Sequence, residues 1–278
     1  FFFFKQKTAY EIRPRDWSSD VCSSDLAFHS KGFHRVLHPA QRPGYSGVAI
    51  YSRTPPHQVV RAIGAPEFDA EGRYLEAHFG KVAVVSAYFP SGSSGPARQE
   101  AKFRFLAAFD RRLEALDRHH VPFMFCGDFN MAHRNIDLKN WRANQDYPGF
   151  TPPERAWLDS LFAGRGYVDA FRAVNQEPDQ YTWWSNRGRA FENNTGWRID
   201  YQVVSPALGS AIKHAAIYRE RRFSDHAPLT IDYDWELCAA GCACGAPAGS
   251  VSADQGATFT SSSRPGIPTA VQSRKKLK

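Results

Sequence analysis

Val121-Pro122-Phe123-Met124-Phe125-Cys126-Gly127-Asp128-Phe129-Asn130 is the stretch on which the fold turns. An uncharged apolar run that meets a glycine and then sets two polar groups one residue apart reads as a buried strand delivering its carboxyl end into a site. Side chains alternate along extended backbone, so Asp128 and Asn130 are expected to face one cavity while Phe129 returns to the core. Gly127 is expected to let the backbone turn tightly. A carboxylate and an amide in one cavity suit the orientation of a water and contact with a phosphate or a metal. The same residues also fit a strand end closed by an Asx turn.

Outward from this stretch the pattern stays regular. Residues 47–53, 58–63, 73–79 and 81–88 are strand-length runs rich in β-branched and aromatic residues, broken by Gly, Pro and Asp. Residues 96–118 place apolar side chains at 103, 106, 109, 113 and 116, a helical period that predicts an amphipathic helix feeding the strand at 121. Thr151-Pro152-Pro153-Glu154 has capping-box spacing with prolines in the first turn, so a second helix is expected there, closing at Gly164. Further strands are expected at 168–170, 181–184, 197–204, 212–218 and 225–233. Strands with interspersed helices predict an α/β fold of two packed sheets flanked by helices.

Composition narrows the class. The chain has 278 residues, 42% of them hydrophobic and 14% aromatic, and no apolar run approaches the roughly 20 residues that cross a bilayer, so a soluble protein with no membrane partner is expected. More than half of the net charge of +7 lies in residues 238–278, with five Lys/Arg against one acid, while residues 27–237 hold 26 Lys/Arg against 23 Asp/Glu, so the pI alone says little about nucleic acid. Five cysteines, unevenly placed, do not make a disulfide framework and fit a reducing cytosol. Cys238, Cys242 and Cys244 lack a nearby fourth ligand for zinc. Residues 1–26 resemble a translation of a common DNA-sequencing library adapter, and residues 238–278 are rich in Ala, Gly, Ser, Thr and Pro. A folded domain over 27–237 between a non-native segment and a disordered tail is therefore expected.

Three polar clusters stand at strand ends: Asp128 with Asn130, Asp200 after Arg198-Ile199, and Asp225-His226 after Ser224. A histidine able to pair with one carboxylate, beside others able to hold a divalent cation, is what metal-assisted phosphodiester hydrolysis requires. The donors are hard oxygens, which favours Mg²⁺ over Zn²⁺.

Gly44-Tyr45-Ser46-Gly47-Val48-Ala49-Ile50, Tyr88-Phe89-Pro90, Gly127-Asp128-Phe129-Asn130, Gly196-Trp197-Arg198-Ile199-Asp200-Tyr201 and Ser224-Asp225-His226-Ala227-Pro228 occur in one order along residues 27–237. That order and spacing resemble the exonuclease III family of abasic-site endonucleases, within the endonuclease/exonuclease/phosphatase superfamily. The resemblance implies a four-layered α/β sandwich of two packed mixed β-sheets flanked by helices. It implies cleavage of DNA on the 5′ side of abasic sites, with 3′→5′ exonuclease and 3′-phosphatase capability, using Mg²⁺ or in its place Mn²⁺. Asp128 would be the general base or water-orienting group, with Asn130 contacting the scissile phosphate. Asp200 would hold His226 in its productive tautomer, His226 would contact the phosphate, and Tyr88 would sit near the leaving group. Asp128, Asn130, Asp225 and His226 would face the metal. Of Trp183 and Trp184, one is expected inward and one toward DNA, and Arg187 and Arg189 are candidate phosphate contacts. The implied partner is double-stranded DNA with abasic sites or 3′ ends, met by a monomer in a bacterial-type cytoplasm.

The family's first strand, ending in Asn, and a following strand ending in Gln-Glu, whose Glu binds metal, have no counterpart here. Gln99-Glu100 opens the amphipathic helix instead. On that basis the first strands and the principal metal carboxylate are expected to be missing, and this chain to be inactive or nearly so. Sister phosphohydrolases acting on phosphoinositides or sphingomyelin share the Gly-Asp-x-Asn and Ser-Asp-His motifs. They remain an alternative, as does a non-catalytic DNA-binding remnant.

Overall fold

A computed structural model describes residues 32–222 and 224–235. The segments expected to be non-native and disordered lie outside them. The strand that opened the sequence reading is central. In chain order the strands are β1 (His34–Pro39), β2 (Gly47–Ser52), β3 (Gln58–Val60), β4 (Tyr74–Phe79), β5 (Val82–Ala87), β6 (Phe123–Asp128), β7 (Val168–Asp169), β8 (Trp183–Trp184), β9 (Gly196–Trp197), β10 (Asp200–Val204), β11 (Ile212–Ile217) and β12 (Leu229–Tyr233). Four α-helices intervene: α1 (Pro66–Asp69), α2 (Pro96–Arg118), α3 (Pro152–Asp159) and α4 (Ala170–Val174). A six-stranded sheet runs β3-β4-β5-β6-β10-β7. Its pairs are antiparallel except β5 with β6, which are parallel and joined through α2.

β6 is uncharged until its last residue because both its faces are covered. Phe123 and Phe125 turn to a cluster with Phe105, Phe109, Leu113 and Leu116 of α2 and Leu158 of α3. Met124 and Cys126 turn to the opposite face, where Val36, Val48 and Ile50 of the β1–β2 hairpin and Ile212 of the β11–β12 hairpin pack. The mixed α/β architecture is the one expected, with two hairpins forming the second layer. No helix among the described residues is long and apolar enough to cross a membrane.

The structure corrects some local expectations. Phe103, counted in the apolar stripe of α2, is 37% exposed, and Phe105 is the residue turned inward. α3 does begin with the Thr151/Glu154 capping box, but its regular turns end at Asp159 and one π-helical turn continues to Gly164. β1, whose sequence HRVLHP mixes histidine, arginine and proline, carries no strand signal yet pairs with β2 along its full length. Gly127 does not turn the chain. It lies within β6 at φ 146°, where a Cβ would sit 1.8 Å from the Ala87 carbonyl oxygen of β5. The glycine is required by the close approach of two strands.

Candidate active site

The site is assembled at the carboxyl end of β6. β10 runs antiparallel beside it with Asp200 directly opposite Asp128, and the Phe129 N–H to Ile199 carbonyl bond (2.8 Å) continues the pairing one residue further. Phe129 returns to the core as expected, stacking on Phe89 and Tyr201 with ring centroids 4.3 and 4.7 Å away. Asn130 then enters the left-handed region at φ 52°. Its main-chain N–H donates to Asp128 Oδ1 at 2.7 Å and its amide Nδ2 to Asp128 Oδ2 at 3.1 Å and to the Phe89 carbonyl at 3.0 Å. Asp128 and Asn130 are therefore joined through an Asx turn, the strand-end arrangement the sequence also fitted.

His226 Nδ1 lies 2.9 Å from Asp200 Oδ2. Thr182 fixes that carboxylate's backbone: its buried hydroxyl accepts the N–H groups of Ile199 and Asp200, each at 3.1 Å. Residues 182–184 also run beside 225–227, through Trp184 N–H to the Asp225 carbonyl (3.0 Å) and Ala227 N–H to the Thr182 carbonyl (2.7 Å). Asp225 Oδ2 accepts from the Trp183 indole at 3.1 Å. Trp184 is 1% exposed and Trp183 only half-buried, the inward and outward split expected of neighbours on a strand. Trp183 pairs across to Trp197 of β9, likewise half-buried, so two tryptophans stand together beside His226. Tyr88 follows β5. Arg73 lies 4.8 Å over its ring and donates to its carbonyl at 3.0 Å.

Burial sets the protonation states. Asp128, 2% exposed, is pushed from the usual 3.8 up to about 7 by loss of solvent and by the like charge of Asp200, against the pull of His226, the Asn130 N–H and Lys102. Burial disfavours the His226 cation, yet the carboxylates of Asp200, Asp128 and Asp225 outweigh it and raise the imidazole to about 9. Near neutrality the histidine is an imidazolium, with Nδ1 on Asp200 and Nε2 left to donate. Burial, with the Asp128 charge, lifts the Tyr88 phenol to about 12, so it stays a neutral donor.

Asp128, Asn130 and Asp225 supply hard oxygens of the kind Mg²⁺ takes. Among the described residues, however, no three His, Cys, Asp or Glu side chains are grouped to hold an ion. Asp225 accepts from the Trp183 indole and His226 is held on Asp200 through Nδ1. The four expected ligands border the site without closing a cage. Arg187 and Arg189 are exposed on the 185–195 loop, whose edge also carries Arg222 on Asn186 (2.6 Å) and Arg219 over Trp184 (5.1 Å). This is a basic rim rather than a set of fixed contacts.

Sequence reasoning missed three supports. Thr182 is one; its signal was a lone hydroxyl before two tryptophans. The second is Arg198, fully buried between Asp137 (2.8 Å) and Asp169 (2.7 Å), with Arg172 also on Asp137; the Arg198-Ile199-Asp200 order hinted at it by putting a charge next to a catalytic candidate. The third is Lys102, hidden among the charges of α2.

A family model described as "Endonuclease/Exonuclease/phosphatase family" matches residues 10–226. An exodeoxyribonuclease of Bacillus subtilis is 38% identical over 200 residues, covering 72% of this chain and 79% of the relative. The DNA repair nuclease APEX1 of Danio rerio is 39% identical over 193 residues, 68% of this chain and 61% of the relative. Among solved structures, a 3′-5′ exonuclease from Neisseria meningitidis superimposes with a TM-score of 0.70 at 27% identity, covering 84% of this chain and 89% of its own. A Neisseria 3′ phosphatase bound to a product DNA hairpin gives 0.69, also at 27% identity over 84% of this chain and 89% of its own.

Proposed function

We propose that this chain, which belongs to the endonuclease/exonuclease/phosphatase family, is a DNA-repair nuclease that hydrolyses the phosphodiester on the 5′ side of abasic sites and processes 3′ ends by exonuclease and phosphatase action. The observation that carries the reading is the Asp128–Asp200–His226 array, with a carboxylate held near neutrality facing an imidazolium. His226 donates from Nε2 to a non-bridging phosphate oxygen, where negative charge grows during attack. Asp128, with both oxygens oriented by Asn130, accepts the proton of the attacking water. Tyr88, a neutral phenol, donates toward the departing oxygen. Trp183 and Trp197 offer apolar faces to a sugar that has lost its base, and the basic rim at Arg187, Arg189, Arg219 and Arg222 meets the duplex backbone.

The family resemblance implies metal-assisted hydrolysis, in which a bound Mg²⁺, or Mn²⁺ in its place, would neutralise charge on the phosphate. The reading is tested by incision of a duplex bearing one abasic site, with Mg²⁺ or with EDTA. Incision that needs the metal supports it. Hydrolysis of a soluble phosphoester with the duplex left intact moves the assignment to a sister phosphohydrolase, and duplex binding without cleavage leaves a DNA-binding remnant.

A further inference from the structure

Directly behind the cleft, α2 carries a cation removed from water. Lys102 and Glu154 are both fully buried, with Nζ 2.6 Å from Oε1, and the same ammonium donates to the Asn130 carbonyl at 3.0 Å. A buried ion pair seldom stabilises more than an apolar pair of the same volume, so its presence asks for another role. Glu154 is committed on its far side too. Its Oε2 accepts from Gly149 N–H (2.8 Å), Thr151 N–H (3.0 Å) and the Thr151 hydroxyl (2.7 Å). The pair thus links the cap of α3 to the residue that holds Asp128. That residue is strained: a side chain with a Cβ enters the left-handed region at a cost, and Asn130 sits there at φ 52°.

We infer that Lys102 is a positioning residue for the hydrolytic site: by binding the Asn130 carbonyl it pins the following peptide, keeps Asn130 left-handed, and so keeps two hydrogen bonds on the Asp128 carboxylate. Lys102 lies entirely beneath the surface, so it does not touch a phosphate and acts only through Asn130. Its consequence for turnover rests on the nuclease reading; its effect on Asn130 does not.

The test is a three-variant series in the full chain. Lys102→Met leaves Glu154 buried without its counter-charge and is expected to lower Tm. Lys102→Met with Glu154→Gln removes both charges. The glutamine oxygen can stay on Gly149 and Thr151 while its amide takes the place of Oε1, where Gln99, which donates there from Nε2 (3.1 Å), can turn over so that its unpartnered Oε1 accepts. This double variant is expected to recover most of the lost Tm. Glu154→Gln alone strips the buried ammonium of its counter-charge and is also expected to lower Tm, while leaving Lys102 the Asn130 carbonyl as its acceptor. Amide hydrogen exchange by NMR is the first readout: at Asn130 it is expected to speed up about tenfold or more in both variants lacking Lys102, and to stay near wild type in Glu154→Gln. The maximal incision rate on an abasic duplex is expected to fall with it, while the Kd for the duplex is unchanged. If Asn130 protection instead follows Tm across the series, or the double variant exchanges like wild type, the role is structural only and the inference fails. A wild type that never incises DNA would sink the nuclease reading while the exchange data still decide Lys102.

Discussion

Asp128→Asn should make the metal-free protein more stable, and by an amount that depends on pH. The carboxyl is 2% exposed and titrates near 7 in the fold against the usual 3.8. A raised folded-state pKa means that the native state holds the proton more tightly. The stability tied to it is intact below the unfolded value, is lost as pH climbs through 7, and is flat above. The charged form at pH 8 therefore costs about 4 kcal/mol, against less than about 1 kcal/mol at pH 4. The amide keeps an oxygen for the Asn130 N–H but sets a nitrogen against Asn130 Nδ2, forfeiting about 1 kcal/mol. The net expectation is a gain of about 3 kcal/mol at pH 8 that shrinks to nothing or turns slightly negative at pH 4. Urea unfolding of both proteins in EDTA, extrapolated linearly at intervals from pH 4 to 8, measures the difference directly. A difference that is flat with pH, or that falls as pH rises, would refute the claim that burial keeps this carboxylate poised. His226 loses stability over a separate window, from below 6.5 through about 9, and contributes less in the variant because the Asp128 charge that supports it is gone.

Other substitutions separate support from chemistry. Gly127→Ala drives a methyl to 1.8 Å from the Ala87 carbonyl oxygen at a φ of 146°, so β5 and β6 must part. A loss of about 3 kcal/mol or more is expected in thermal melts, with activity lost alongside. Arg198→Met leaves Asp137 and Asp169 buried without their shared cation and should cost about 3–5 kcal/mol by urea titration at pH 7. Trp184→Ala empties a site that is 1% exposed and should cost about 3–5 kcal/mol of stability. Trp183→Ala should lower Tm less than Trp184→Ala, its cost being the indole bond to Asp225, while weakening binding to an abasic duplex by about 1–3 kcal/mol, read by fluorescence anisotropy.

Much of the fold was legible because β6 is covered on both faces, which writes itself as an apolar run ending in a polar pair. α2 was legible from periodicity, although Phe103 and Phe105 are close enough in sequence to exchange roles, and only packing against Phe68 and Phe89 decides between them. β1 was not legible, since a hairpin strand with one buried side chain needs no alternation. In the site, Asp128, Asn130, Asp200 and His226 were legible together because each stands at or just beyond the end of a strand-like run. Lys102 was invisible, because a lysine on an amphipathic helix reads as solvated until the fold shows Glu154 beside it. Gly127 was recognised for the wrong reason: its freedom serves strand packing, a contact from 40 residues earlier in the chain that no local pattern records.

The most direct test of the central claim is incision of an end-labelled duplex with one abasic site. It compares the chain with Mg²⁺ and with EDTA, beside the His226→Gln variant. The account predicts a Mg²⁺-dependent product ending in a 3′-hydroxyl immediately 5′ of the site, slowed about 100-fold or more by His226→Gln. Incision that proceeds equally in EDTA, or that survives loss of His226, would contradict it.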